Sequence, residues 1–181
     1  MFKKVCIIGC GLIGSSLARA IKKYNLSEKI VASNRSDITN KKVLELNIVD
    51  ESSNDVQKMS KDSDLIIIAS PLSSYENIIT KINKNLKKGS ILTDVGSVKK
   101  NIINLVEKHV PENVSWISSH PIAGTEESGP EAGFAELFKN KWCILTPSKK
   151  VKTKDLETLK TLWKKIGSDI DIMDAEQHDH I

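Results

Sequence analysis

Three short clusters hold residue types suited to chemistry. They are Gly9-Cys10-Gly11-Leu12-Ile13-Gly14, Thr93-Asp94-Val95-Gly96-Ser97-Val98-Lys99, and Ser119-His120-Pro121-Ile122-Ala123-Gly124-Thr125-Glu126. The first is a Gly-x-Gly-x-x-Gly loop. Gly9 can turn sharply, Gly11 leaves room for backbone to approach a pyrophosphate, and Gly14 lets a helix pack close to a sheet. Free N–H groups at a helix start, helped by the helix dipole, favour phosphate charge. The motif alone is weak evidence. Here it follows the apolar run Val5-Cys6-Ile7-Ile8 and opens the amphipathic stretch from Leu12, the setting of a dinucleotide site.

The other two clusters suggest proton chemistry. A neutral imidazole takes a proton near neutral pH, so His120 is the natural general base for a substrate hydroxyl whose carbon loses hydride. Ser97 is placed to orient His120 or the substrate, and Glu126 to orient the histidine or tune its pKa. Both clusters follow apolar runs, as loops do that carry catalytic groups at strand ends.

The second apolar run ends at Ser33-Asn34-Arg35-Ser36. An NAD site usually places Asp or Glu about 20 residues beyond the glycines, on the ribose hydroxyls. That position falls on Asn34. A neutral residue followed by Arg35 and Ser36 suits a 2′-phosphate, through a guanidinium and a hydroxyl. The reading is NADP before NAD, with Gly9, Gly11, Leu12, Ile13, Gly14, Asn34, Arg35, Ser36, Ser70, Pro71 and Gly96 as cofactor contacts.

Elements must hold these residues in place. Apolar and β-branched runs predict strands near 4–9, 29–34, 64–69, 90–94, 114–118, 142–146 and 169–173. Amphipathic spacing predicts helices near 12–24, 39–46, 73–85, 98–109 and 153–166. The alternation predicts an α/β protein with a Rossmann-type, doubly wound, mostly parallel sheet. The strand from Asp64 to Ala69 reads as central and runs into Ser70-Pro71 at the ligand edge.

Asp174 and Gln177 read as a capping box opening a helix that halts after about one turn, too short to stand alone in water. The expected organisation is a dinucleotide-binding domain over 1–173. Residues 174–181 would begin a truncated helical domain.

Composition narrows the class. The chain has 181 residues, 39% of them hydrophobic, and a formal charge of +4. Its lysines are scattered and no basic block alternates with aromatics, so a nucleic-acid partner is not expected. The longest apolar run, Leu65 to Ala69, is far too short for a membrane span. The first strand begins at once, which suggests no leader peptide. Cys6, Cys10 and Cys143 lack metal spacing, and Cys6 and Cys143 read as reduced core residues. The expectation is a cytoplasmic protein with a small-molecule substrate and no metal.

The clusters together resemble the prephenate/arogenate dehydrogenase family. The resemblance rests on the glycine loop with Ser15-Ser16, on Asp94 to Lys99, on His120-Pro121-Ile122-Ala123-Gly124-Thr125-Glu126 with Ser128-Gly129-Pro130, on Trp142 to Pro147, and on Gln177-His178-Asp179. The His-Pro-x-Ala-Gly-Thr-Glu segment is the most specific of these.

The resemblance implies oxidative decarboxylation in tyrosine biosynthesis. Hydride leaves C4 of a cyclohexadienol ring for NAD(P), His120 accepts the C4 hydroxyl proton, and CO2 loss makes the ring aromatic. It also implies that Ser97 lies near the nicotinamide, that Glu126 is at the entrance, and that Thr125 and His178 are at the substrate. A homodimer is implied only with the helical domain that is absent here. Prephenate carries two carboxylates, yet the chain has only Arg19 and Arg35, so a substrate arginine is expected from that domain. Another β-hydroxyacid-type dehydrogenase would instead turn over 3-hydroxy acids. A non-catalytic dinucleotide sensor would bind cofactor and be indifferent to loss of His120.

Overall fold

The structure, a computed structural model, describes residues 1–180. Eight strands form one sheet: β1 Phe2–Ile8, β2 Ser27–Ser33, β3 Glu51–Ser53, β4 Leu65–Ile68, β5 Ile91–Asp94, β6 Ser115–Pro121, β7 Trp142–Pro147 and β8 Asp169–Ile172. Their order is β3-β2-β1-β4-β5-β6-β7-β8. Every neighbouring pair is parallel except β6 and β7.

Seven helices accompany them: α1 Leu12–Lys23, α2 Asp37–Glu45, α3 Val56–Ser60, α4 Tyr75–Ile82, α5 Lys100–Glu107, α6 Thr153–Lys165 and α7 Ala175–Asp179. Alternate residues of the central strands feed two separate cores. Val5 and Ile7 of β1 pack with Leu17 and Ile21 of α1, Val43 of α2, and Leu159, Leu162 and Trp163 of α6. Cys6 and Ile8 face the other way, toward Met59 of α3, Tyr75 and Ile79 of α4, and Ile102 and Val106 of α5. Burial on both faces explains why β1 and β4 read as continuous apolar runs rather than as alternation.

From β1 the chain steps outward to β2 and β3, then crosses back to β4 on the other side of β1. The carboxyl ends of β1 and β4 therefore part at a switch point, where doubly wound sheets form a ligand crevice.

Several boundaries differ from the sequence reading. The edge strand β3 and the helix α3 were not expected, because three polar residues and five residues carry little periodic signal. The helix expected over 73–85 is a 3₁₀ turn at Leu72–Ser74, then α4, then another 3₁₀ turn. β6 runs on through His120 and Pro121, held by pairing to β7 (His120 with Ile144, Pro121 with Cys143). His120 is thus a strand residue, not a loop residue.

The last helix, α7, has its capping box at Asp174 and Gln177. Tertiary contacts described below anchor it, so isolated-helix instability does not apply. Ile181 lies outside the described residues. Among those residues no helix is long and apolar enough to cross a membrane.

Candidate active site

At the switch point a cleft of about 950 Å³ opens over the glycine loop. Gly9 has φ +95°, and a Cβ there would sit 2.8 Å from Ser70 N. A Cβ on Gly14 would sit 2.0 Å from Gly9 O. Packing therefore demands both glycines. Nothing lies within 4 Å of the Cβ position of Gly11, so no protein contact demands glycine there. Gly11 is also the N-cap of α1 and gives no side-chain cap, and no acidic residue occupies the first turn. The free N–H groups of α1 thus meet an open cleft, a cradle that fits a pyrophosphate.

One end of the cleft is lined by Asn34, Arg35, Ser36 and Thr39, the other side by Ser70, Pro71 and Lys81, with no carboxylate among its lining residues. Asn34 is buried and its amide is fully engaged. Oδ1 accepts from Cys10 N at 2.6 Å, and Nδ2 donates to Asn40 Oδ1 at 3.0 Å. Asn34 ties the glycine loop to α2 rather than reaching out to a ligand. Arg35 is exposed, and Ser36 caps α2 by accepting from Thr39 N.

A wall of this cleft comes from a distant segment. Gly129 and Pro130 line it, and the chain that follows lies across α1. Arg19 donates to Pro130 O at 2.8 Å, Phe134 N donates to Ser16 Oγ at 3.1 Å, and Lys23 pairs with Glu136. A Cβ on Gly133 would meet Ser15 Oγ at 2.2 Å, so the two segments are in close contact.

Further along the same sheet edge is a pocket of about 430 Å³, lined by Ser97, Val98, His120, Ile122, Ile144, His178 and Asp179. His120 is half-buried. Burial first, then the Lys99 ammonium nearby, push its pKa down from 6.5 to about 4. Its Nδ1 lies 2.8 Å from His178 Nε2, and among the described residues Nε2 has no hydrogen-bond partner. The imidazole is therefore neutral at pH 7, with one nitrogen able to accept a proton, as a general base must be.

Beneath the pocket Asp94 and Lys99 form an ion pair at 3.1 Å, both side chains fully buried. The Asp94 carboxylate also accepts from Ser118 Oγ, Ser119 N, Gly96 N and Tyr75 OH. Lys99 donates to Ser119 O as well. Burial lowers the Lys99 pKa while the carboxylate opposes that shift. The network binds the turn carrying Ser97 to the strand carrying His120. Gly96 fits because a Cβ there would meet Leu72 Cδ2 at 2.7 Å.

A family model described as the prephenate dehydrogenase nucleotide-binding domain matches residues 17–172. The chain belongs to the prephenate dehydrogenase family. It is 36% identical over 181 residues to cyclohexadienyl dehydrogenase of Zymomonas mobilis, matching all of this chain and 61% of that protein. It is 30% identical over 178 residues to prephenate dehydrogenase of Bacillus subtilis, matching 98% of this chain and 48% of that protein. The crystal structure of prephenate dehydrogenase from A. aeolicus in complex with hydroxyphenyl propionate and NAD+ superimposes with a TM-score of 0.92 at 30% identity, covering 99% of this chain and 63% of that one. Synechocystis arogenate dehydrogenase gives a TM-score of 0.86 at 27% identity, covering 97% of this chain and 61% of that one. The chain thus spans between about half and two thirds of the length of these relatives.

In this member of the prephenate dehydrogenase family, the sequence-predicted residues fall into three groups. Gly9, Gly11, Asn34, Arg35, Ser36, Ser70 and Pro71 line the cleft. Ser97, His120 and His178 line the pocket. The rest stand apart. Leu12 and Ile13 pack against the core and are outside the cleft lining. Gly14 serves the loop's packing, and Gly96 the turn below Ser97.

Thr125 and Glu126 are exposed, outside the pocket lining, and Thr125 Oγ1 accepts from Glu127 N. Glu126 does not orient His120 here; His178 is the group bonded to it. Sequence reasoning assigned no role to Asp94, Lys99 or Asp179. An acid closing an apolar strand, as Asp94 does, with a lysine five residues on was the available signal.

Proposed function

We propose that this chain forms the nucleotide-binding and proton-accepting part of an NAD(P)-dependent dehydrogenase acting on prephenate or arogenate. The observation that carries the reading is one sheet edge holding both the cradle over Gly11 and a neutral His120 whose Nε2 has no partner among the described residues. NAD(P), when bound, supplies the hydride acceptor. The N–H groups at the start of α1 would hold its pyrophosphate. His120 takes the ring hydroxyl proton as hydride departs, and Ser97 beside it orients the hydroxyl. Loss of the ring carboxylate as CO2 leaves an aromatic product and makes the step irreversible.

NADP is the preferred cofactor in this reading. The cleft end has a guanidinium, two hydroxyls and no carboxylate to repel a 2′-phosphate. Arg19 is committed to Pro130, and Arg35 lines the cleft rather than the His120 pocket. The substrate carboxylates therefore call for a partner group beyond these residues, and the same helical part would carry a homodimer.

Turnover of prephenate and of arogenate with NADP and NAD tests the reading in the full-length protein. His120→Asn is expected to lower kcat by about 10²–10⁴-fold while leaving cofactor affinity unchanged. Wild-type turnover in that variant would remove His120 from the role of base.

A further inference from the structure

Behind His120 a second imidazole and a carboxylate stand in line. His120 Nδ1 is 2.8 Å from His178 Nε2, and His178 Nδ1 is 2.8 Å from Asp179 Oδ1. The two rings meet edge to face, with centroids 5.0 Å apart. His178 is buried. Backbone pins the carboxylate as well: the same Oδ1 accepts from Lys99 N at 3.0 Å, and Oδ2 accepts from Lys100 N at 2.9 Å. Desolvation raises the Asp179 pKa, but hydrogen bonds from His178 and from the Lys100 and Lys99 N–H groups bring it below the usual carboxyl range.

The order of protons along this line follows from donor and acceptor chemistry. An ionised carboxylate only accepts, so His178 Nδ1 carries a proton. Neutral His178 then offers a lone pair at Nε2. The bond between the rings therefore needs its proton on His120 Nδ1. What remains is a lone pair on His120 Nε2, the nitrogen without a protein partner. We infer that Asp179 and His178 are positioning residues that lock His120 in its Nδ1–H tautomer, making Nε2 the atom that accepts the substrate proton.

The inference rests on the general-base reading of His120, yet the tautomer can be read without turnover. It also moves His178 from a substrate contact to a residue acting through His120. The charged and titratable groups around His120 are Lys99 at the start of α5, Asp94 at the end of β5, His178 and Asp179 on α7, and Cys143 on β7, whose thiol burial pushes up and keeps neutral. On β7, Ile144 pairs with His120 and is uncharged. Asp179 is the carboxylate joined to His120 through a hydrogen-bonded ring; Asp94 is taken up by Lys99 and the backbone.

The test is long-range ¹H–¹⁵N spectroscopy of the protein labelled with ¹⁵N-histidine, run beside pH profiles of turnover. Wild type is expected to show His120 protonated at Nδ1 and bare at Nε2. Asp179→Asn can present an amide N–H to His178 Nδ1. It is then expected to reverse both bonds, place the His120 proton on Nε2, and lower kcat by about 10²-fold or more with cofactor affinity unchanged. His178→Phe should also release the Nδ1–H tautomer. His178→Gln, which keeps an acceptor for His120 Nδ1, should restore part of that tautomer and of kcat.

A wild-type His120 protonated at Nε2 would overturn the inference. So would a His178→Phe protein with an unchanged tautomer and an unchanged acidic limb. An Nδ1–H His120 in a full-length protein that oxidises no cyclohexadienol would uphold the lock and overturn the general-base reading instead.

Discussion

His120 shows how far a single side chain sets the chemistry. An imidazole held at about 4 stays in its base form far below neutrality. The acidic limb of kcat/KM should therefore fall well under 6.5, the ordinary histidine value, and a limb at 6.5 or above would contradict the geometry. At the other end of the site, Arg35→Ala should weaken NADPH binding about tenfold or more and leave NADH nearly unchanged, as read by fluorescence titration. Equal losses would count against a 2′-phosphate site. The sequence singled out His120 and Arg35 by residue type, and the fold sets one at the pocket and the other at the cleft. Glu126, six residues on, is exposed and outside the lining, because the chain leaves the pocket after Ile122. The resemblance set His178 at the substrate, but its bond to His120, 58 residues away, comes only from the packing of α7.

Among the elements, the strands were read best. Val5-Cys6-Ile7-Ile8 and Leu65-Ile66-Ile67-Ile68 are buried on both faces, so their apolar runs carry the signal directly. Short polar elements such as β3 are made by their neighbours and leave no such mark. The turn between β5 and α5 depends on the Asp94–Lys99 pair. Lys99→Met would keep the volume and strand a buried carboxylate, a change that costs about 3–5 kcal/mol. Urea denaturation should show a matching fall in midpoint, and a loss below about 1 kcal/mol would mean that hydrogen bonds alone carry Asp94. The same turn presents Ser97, so the variant should also lose turnover before it loses its fold.

For the whole molecule, His120 couples stability to pH. Its pKa is depressed on folding, so the native state binds fewer protons than the unfolded chain between 6.5 and about 4. Stability is therefore complete above 6.5 and declines as pH falls through that window. His120→Asn should flatten this part of a pH series of denaturation midpoints; an unaltered slope would assign the decline to other groups. Asp64, Glu51 and Asp179, whose carboxyls are held below their usual values, act lower on the scale. The segment after β6 has a different consequence, one of timing. Arg19 and Pro130 are 111 residues apart, as Ser16 and Phe134 are 118 apart. Such contacts carry a large loop-closure entropy and form late in folding. A nascent chain that has built β1, α1 and β2 would own the glycine loop but lack the wall made by Gly129 and Pro130. Cofactor affinity should thus mature only after residue 134 is made, well behind the secondary structure that supports it.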